Sequence, residues 1–235
     1  MKELKRVILK LSGEALIGAK KAGYDDKLIS DIARQVIEIR KTGIDVGIVI
    51  GGGNYWRGRQ NNNIDRTKAD QIGMLATVMN CIYVSEIFRH EGLKTAILTP
   101  FQVGSMTSLF SKDLANEKFN NGEVIFFAGG TGHPYFSTDT GIALRAVELD
   151  ADAILLAKNI DGIYDSDPAV NPDAKKYDEI SIQEVVDKKL GVIDLTASVM
   201  CMENKIPLMC FALKEPNSIL NALTGKFTGS VVTVD

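Results

Sequence analysis

Val124-Ile125-Phe126-Phe127-Ala128-Gly129-Gly130-Thr131-Gly132-His133-Pro134-Tyr135-Phe136-Ser137-Thr138-Asp139 passes from an apolar run, through a glycine-rich turn, into residues suited to start a helix. The first five residues read as a buried strand, and Ser137-Thr138-Asp139 supplies capping side chains for a helix. A strand, a glycine turn and a helix start leave unpaired backbone N–H groups and the positive end of a helix dipole facing one spot. That arrangement suits an anion such as phosphate.

Two further segments repeat the design. Arg6-Val7-Ile8-Leu9-Lys10-Leu11-Ser12-Gly13-Glu14 carries a lysine along a strand into a turn, and Val46-Gly47-Ile48-Val49-Ile50-Gly51-Gly52-Gly53-Asn54 ends in three glycines. Glycines there let a backbone approach a ligand without hindrance from Cβ. Three such strand ends imply more than one phosphate group. In an open α/β sheet, ligands bind beyond the carboxyl ends of the strands, so turns far apart in sequence can converge.

Composition narrows the function classes. With 235 residues the chain can bury a sizeable core, and it reads as one domain with two lobes, approximately 1–152 and 153–235. A net charge of −3, with acids and bases nearly balanced, gives no basic field for nucleic acid, so anionic ligands must be held locally. No membrane span is expected, and Lys10 breaks the apolar stretch Val7 to Leu11, so a cytoplasmic protein without a secretory leader is expected. Cys81, Cys201 and Cys210 lack metal-site spacing and read as buried thiols of a reducing compartment.

Alternating patterns continue along the chain. Asp25 or Asp26 can cap a helix carrying Leu28, Ile29, Ile32, Ala33, Val36 and Ile37, and Gly43 closes it. A strand over 44–50 follows, then a long helix from about Thr67 to His90, whose Met74, Leu75, Val78, Met79 and Ile82 stripe is expected in the core. Strands over 94–98, 124–128 and 153–157 alternate with helices over 111–119 and from Ser137 to about Leu149, indicating parallel crossovers. Turn residues crowd 159–173. Helices near 182–188, 196–204 and after Pro216, with strands over 207–211 and 230–234, complete an α/β fold with a mostly parallel central sheet sandwiched by helices. Residues 102–121 carry no motif that can be assigned.

Lys10 to Leu16, Gly51 to Gly58, Ala69 to Thr77, Gly130 to Asp139 and Asp161 to Tyr164 together resemble the bacterial uridylate kinases of the amino acid kinase superfamily, over essentially the whole chain. The resemblance implies the amino acid kinase fold and ATP-dependent phosphorylation of UMP to UDP in pyrimidine nucleotide biosynthesis. It also implies Mg²⁺ carried through the phosphates rather than a dedicated protein metal site, an allosteric homohexamer, and GTP and UTP as effectors.

By the same resemblance Lys10, Arg57, Asp139 and Asp194 are the catalytic residues. Lys10, Leu11, Ser12, Gly13, Gly53, Arg57, Lys158, Asn159, Tyr164 and Asp167 bind ATP. Gly52, Asp70, Thr131, Gly132, His133, Pro134, Tyr135, Phe136, Ser137 and Thr138 bind UMP, with Asp70 on the ribose hydroxyls. The chemistry agrees, because phosphoryl transfer needs charge neutralisation and positioning more than a covalent nucleophile. His133 stands where many relatives carry asparagine. Residues 17–23 fall where relatives bind the GTP effector, with a different composition. A non-catalytic uridine nucleotide sensor and a kinase of small carboxylates are the alternatives; the combination of Arg57, the Asp70 motif and the loop from Thr131 to Thr138 favours a nucleotide acceptor.

Overall fold

The computed structural model describes residues 4–18, 20, 23–56 and 63–234. Strands β1 (Arg6–Leu11), β2 (Asp45–Ile50), β3 (Thr95–Thr99), β5 (Val124–Phe127), β6 (Ala153–Lys158) and β10 (Leu208–Ala212) form the body of one sheet. Short strands β4 (Ser108–Leu109), β9 (Glu179–Ser181) and β11 (Ser230–Thr233) extend its edges. The order is β4-β3-β5-β2-β1-β6-β10-β11-β9, and every pairing is parallel except β10 with β11. A two-stranded ribbon of β7 (Ile163–Tyr164) and β8 (Lys176–Tyr177) stands apart.

Parallel strands buried on both faces must be largely apolar: β5 is so throughout, and β1, β2 and β6 carry charge only at Arg6, Lys10, Asp45 and Lys158. Alternation decides which face each side chain enters. Val7, Leu9 and Leu11 pack with α1 (Asp26–Lys41), α2 (Arg66–His90) and α7 (Ser218–Leu223). Ile8 enters the other layer, against α3 (Lys112–Asn120), α4 (Thr138–Glu148), α5 (Ile182–Asp187) and α6 (Leu195–Glu203). Lys10 lies two residues beyond Ile8 and therefore shares the α4 and α6 face. Arg6 and Lys10 are the two polar ends of the row they share with Ile8.

Helix starts follow the capping chemistry. Asp25, Asp65, Ser111, Ser137, Ser181 and Asp194 each accept a backbone N–H of the first turn they precede. Boundaries fall close to the expected ones, but β4, β7, β8 and β9 have no counterpart in the sequence reading. These strands have two or three residues each, too short for an alternation to register.

Helix α2 bears on two expectations, and corrects the second. Its length and composition alone would suffice to cross a membrane, which the sequence reading did not expect, yet half of its most apolar stretch is buried inside the domain. The methionine stripe is also mostly not core: Val78 alone of it is buried and Met74 is half-buried, while Leu75 is 51% and Met79 49% exposed, and Ile72, Ile82 and Tyr83 join them at the surface. Instead Ala69, Ala76, Thr77, Val78, Asn80, Cys81, Val84, Ser85 and Phe88 face inward. A helix apolar all round does not fix its own rotation. Polar partners on the sheet's turns do.

Candidate functional site

Because β1, β2, β5 and β6 run parallel, their carboxyl ends open on one rim, and the strand order reverses at β1. The three glycine turns meet there. Gly51 N–H donates to the Leu11 carbonyl at 3.0 Å. A Cβ on Gly13 would collide with the Gly51 carbonyl oxygen and Asn54 Oδ1, so the first turn requires glycine to lie against the second. In the third turn Gly129, Gly130 and Gly132 hold φ of 78°, 57° and 82°, the left-handed region open to glycine at little cost. Gly141 of α4 packs directly on Gly130.

One face of α2 clamps these turns from below. Asn80, fully buried, donates from Nδ2 to the Gly51 carbonyl at 2.7 Å and to Asn54 Oδ1 at 2.8 Å. Its Oδ1 accepts from Asn54 Nδ2 at 2.9 Å and from the Tyr24 hydroxyl at 2.7 Å. One turn earlier, Thr77 Oγ1 accepts the Gly129 N–H at 2.8 Å. Two turns earlier still, Asp70 Oδ2 accepts the Tyr135 N–H at 2.8 Å. The spacing 70, 77, 80 places all three on one side of a helix.

Lys10 forms an ion pair with Asp139 at the first turn of α4. Ser137 caps that helix, accepting the Asp139 and Thr140 N–H groups at 2.9 and 3.2 Å, and its hydroxyl donates to Asp194. Asp194 also accepts from Thr140 Oγ1 at 3.1 Å and caps α6 by accepting the Ala197 N–H at 2.9 Å. It thereby locks α4 to α6, so the carboxylate facing Lys10 stands on a fixed helix end.

Two clefts open on the same rim, one reaching Thr138 beside Asp139 and the other Lys158 at the end of β6. The first, about 220 Å³, is lined by Gly52, Gly53, Trp56, Asp70, Thr131, His133, Phe136, Ser137 and Thr138, with Ala69, Gly73, Met74, Thr77 and Gly130. The second, about 530 Å³, is lined by Lys158, Tyr164, Asp167 and the segment from Lys188 to Val192, with Cys210 at its floor. Lys158, at the end of β6, donates to the Val192 carbonyl. Burial pushes its ammonium below the ordinary range, with Lys10 adding repulsion while Cys210 and Asp139 oppose it. Lys158 thus lies within electrostatic reach of the Lys10–Asp139 pair.

Among the expected residues, Gly52, Asp70, Thr131, His133, Phe136, Ser137 and Thr138 line the first cleft, and Gly53 joins them there. Tyr135 is 65% exposed, its ring lying outside the cleft over Arg66. Gly132 and Pro134 are not among the lining residues. Lys158, Tyr164 and Asp167 line the second cleft, whereas Asn159 is exposed beside it. The Leu11 side chain is buried in the α1 and α2 layer, leaving only its backbone on the rim. Arg57, and residues 19, 21 and 22 of the expected effector segment, lie outside the described residues.

Sequence reading missed Trp56, Thr77, Asn80 and the stretch from Lys188 to Gly191. The signal for Thr77 and Asn80 was available: two polar residues inside an apolar helix. The signal for the last was the Lys188-Lys189 pair before a Leu-Gly turn.

A mostly parallel α/β sheet whose glycine turns converge on one rim, with a lysine–aspartate pair and two clefts there, fits a nucleotide-handling kinase better than a hydrolase built on a nucleophile. The amino acid kinase family model matches residues 5–212. Among solved structures, UMP kinase from Ureaplasma parvum superposes with a TM-score of 0.93 at 35% identity, covering 98% of this chain and 99% of that one. UMP kinase from Bacillus anthracis gives 0.95 at 32% identity, covering 100% and 98% respectively. The chain belongs to the amino acid kinase family.

Proposed function

We propose that this kinase transfers the γ-phosphoryl group of ATP to UMP, forming UDP and ADP. The observation that carries the reading is the Lys10–Asp139 pair, with the neighbouring Thr138 lining a small cleft and Lys158, within electrostatic reach of the pair, lining a larger one, in a chain similar over its whole length to UMP kinases. The small cleft takes UMP and the large one takes ATP, in the portions 1–152 and 153–235 respectively.

A phosphate oxygen of UMP attacks the γ-phosphorus, and the bond from that phosphorus to the bridging oxygen of ADP breaks. The UMP phosphate is already ionised at neutral pH, so no general base is required. Lys10 holds positive charge against the moving group, and the N–H groups of the Gly52-Gly53 and Thr131 turns orient its partners. Asp139 keeps Lys10 in one place. Asp70 accepts hydrogen bonds from the ribose, and Tyr164 gives the adenine a face to rest on.

The described residues contain no group of three or more His, Cys, Asp or Glu side chains that could hold a metal ion. A Mg²⁺ ion would arrive with the nucleotide phosphates and water, and Asp139, the partner of Lys10, would be available to it as a carboxylate. Such an ion supplies neutralisation of phosphate charge.

The exposed stripe Ile72, Leu75, Met79 and Ile82 on α2 supports assembly into a homo-oligomer, proposed here as a hexamer in the cytoplasm open to GTP and UTP regulation. With Mg²⁺, ATP and each nucleoside monophosphate in a coupled ADP assay, UMP is expected to turn over well above CMP, AMP or GMP. Equal rates would overturn the acceptor assignment.

A further inference from the structure

The Asp70 carboxylate is used on one side only. Oδ2 accepts from Arg66 Nε at 2.8 Å and from the Tyr135 N–H at 2.8 Å, while among the described residues Oδ1 takes no hydrogen bond. The Arg66 guanidinium carbon also sits 5.2 Å from the centre of the Tyr135 ring, a cation–π arrangement. Tyr135 itself holds φ of 72°, a left-handed conformation that costs free energy in a residue bearing a Cβ. Such a conformation persists only where its surroundings hold it. Here the holders are a hydrogen bond to its N–H and a cation over its ring.

We propose that Arg66, Asp70 and Tyr135 form a clasp that ties the glycine-rich loop to α2 across the mouth of the first cleft. The clasp pins Oδ2 and leaves Oδ1 as the acceptor aimed at the sugar of the incoming nucleotide. Arg66 is therefore a positioning residue: it acts through Asp70 and sets how tightly the acceptor is held. A carboxylate without a second anchor rotates between orientations, and only one of them serves the ligand. This role rests on the reading of the small cleft as the acceptor site. The clasp itself does not.

Arg66 is the first residue of α2 and its side chain is 36% exposed, so its truncation is expected to leave the fold intact. Two readouts on Arg66→Ala test the inference. In the free protein, hydrogen exchange at the Tyr135 amide should accelerate about fivefold or more, with the melting temperature unchanged. With UMP, the KM for UMP should rise roughly tenfold, the loss expected for one charge-assisted hydrogen bond, while the KM for ATP holds and kcat moves little.

The single tryptophan, Trp56, lines the same cleft, so fluorescence titration with UMP alone gives the binding change without turnover. Arg66→Lys should recover part of the loss by restoring one donor. Unchanged amide exchange in Arg66→Ala would overturn the clasp. Accelerated exchange with unchanged UMP affinity would overturn its acceptor role. If wild type shows neither binding nor turnover with UMP while the exchange result stands, the acceptor reading fails and the clasp survives.

Discussion

Asn80→Ala removes the side chain that joins the most segments at the site. Four hydrogen bonds disappear, and the Gly51 carbonyl, the Asn54 amide and the Tyr24 hydroxyl all lose a partner at a position with no solvent exposure. A net loss of about 1 kcal/mol per bond, with a further penalty of about 1–3 kcal/mol for a buried group left unpaired, is partly relieved as Asn54 and Tyr24 turn elsewhere. The expected destabilisation is about 3–5 kcal/mol. For a chain of this size each kcal/mol moves Tm by roughly 2–4 °C, so a fall of about 10 °C is expected.

Urea and thermal unfolding of Asn80→Ala and Met79→Ala make the comparison, because the two positions are adjacent and differ only in facing. Met79, half exposed, should cost roughly 0.5 kcal/mol or less. Asn80→Asp keeps the shape but loses both donors, and should approach the alanine variant. An Asn80→Ala protein within about 1 kcal/mol of wild type, or a Met79→Ala protein equally damaged, would refute the claim that Asn80 holds the turns together.

Further outcomes follow from the same geometry. Lys158 binds its proton less tightly folded than unfolded, so between its lowered native value and its ordinary 10.5 the folded state gains stability as pH rises. The stability of wild type minus that of Lys158→Met should therefore climb through that alkaline window in urea titrations, and a falling difference would contradict the burial argument. Cys81, Cys201 and Cys210 are buried and free, with the Cys201 thiol pushed up to about 12 by burial; a thiol-specific disulfide reagent at neutral pH should find none in the native protein and three after unfolding. Leu75→Lys with Met79→Glu should shift sedimentation toward smaller species without lowering Tm, and unchanged assembly would discard the α2 stripe as a contact surface.

The sheet was legible because its central strands are buried on both faces, so each appears as a largely apolar run, and β1, β2 and β5 run on into glycine turns. The turns at Gly13, Gly51 and Gly129 were legible for the same reason: backbone geometry leaves few residues that fit. Side-chain roles on helices were harder. Periodicity in α2 offered several apolar faces, and the core chose the one bearing Thr77 and Asn80, because buried polar groups need partners and those partners lie on turns remote in sequence. The same limit hid Asp194 as the lock between α4 and α6. Its value depends on Ser137 and Thr140, residues that only folding brings near.

Single-turnover phosphoryl transfer from ATP to UMP by Lys10→Ala, with UMP binding followed at Trp56, tests the central claim most directly. Removal of a pre-positioned charge should slow the chemical step about a hundredfold or more while UMP still binds. Transfer at an undiminished rate would mean that Lys10 does not stabilise the moving phosphoryl group.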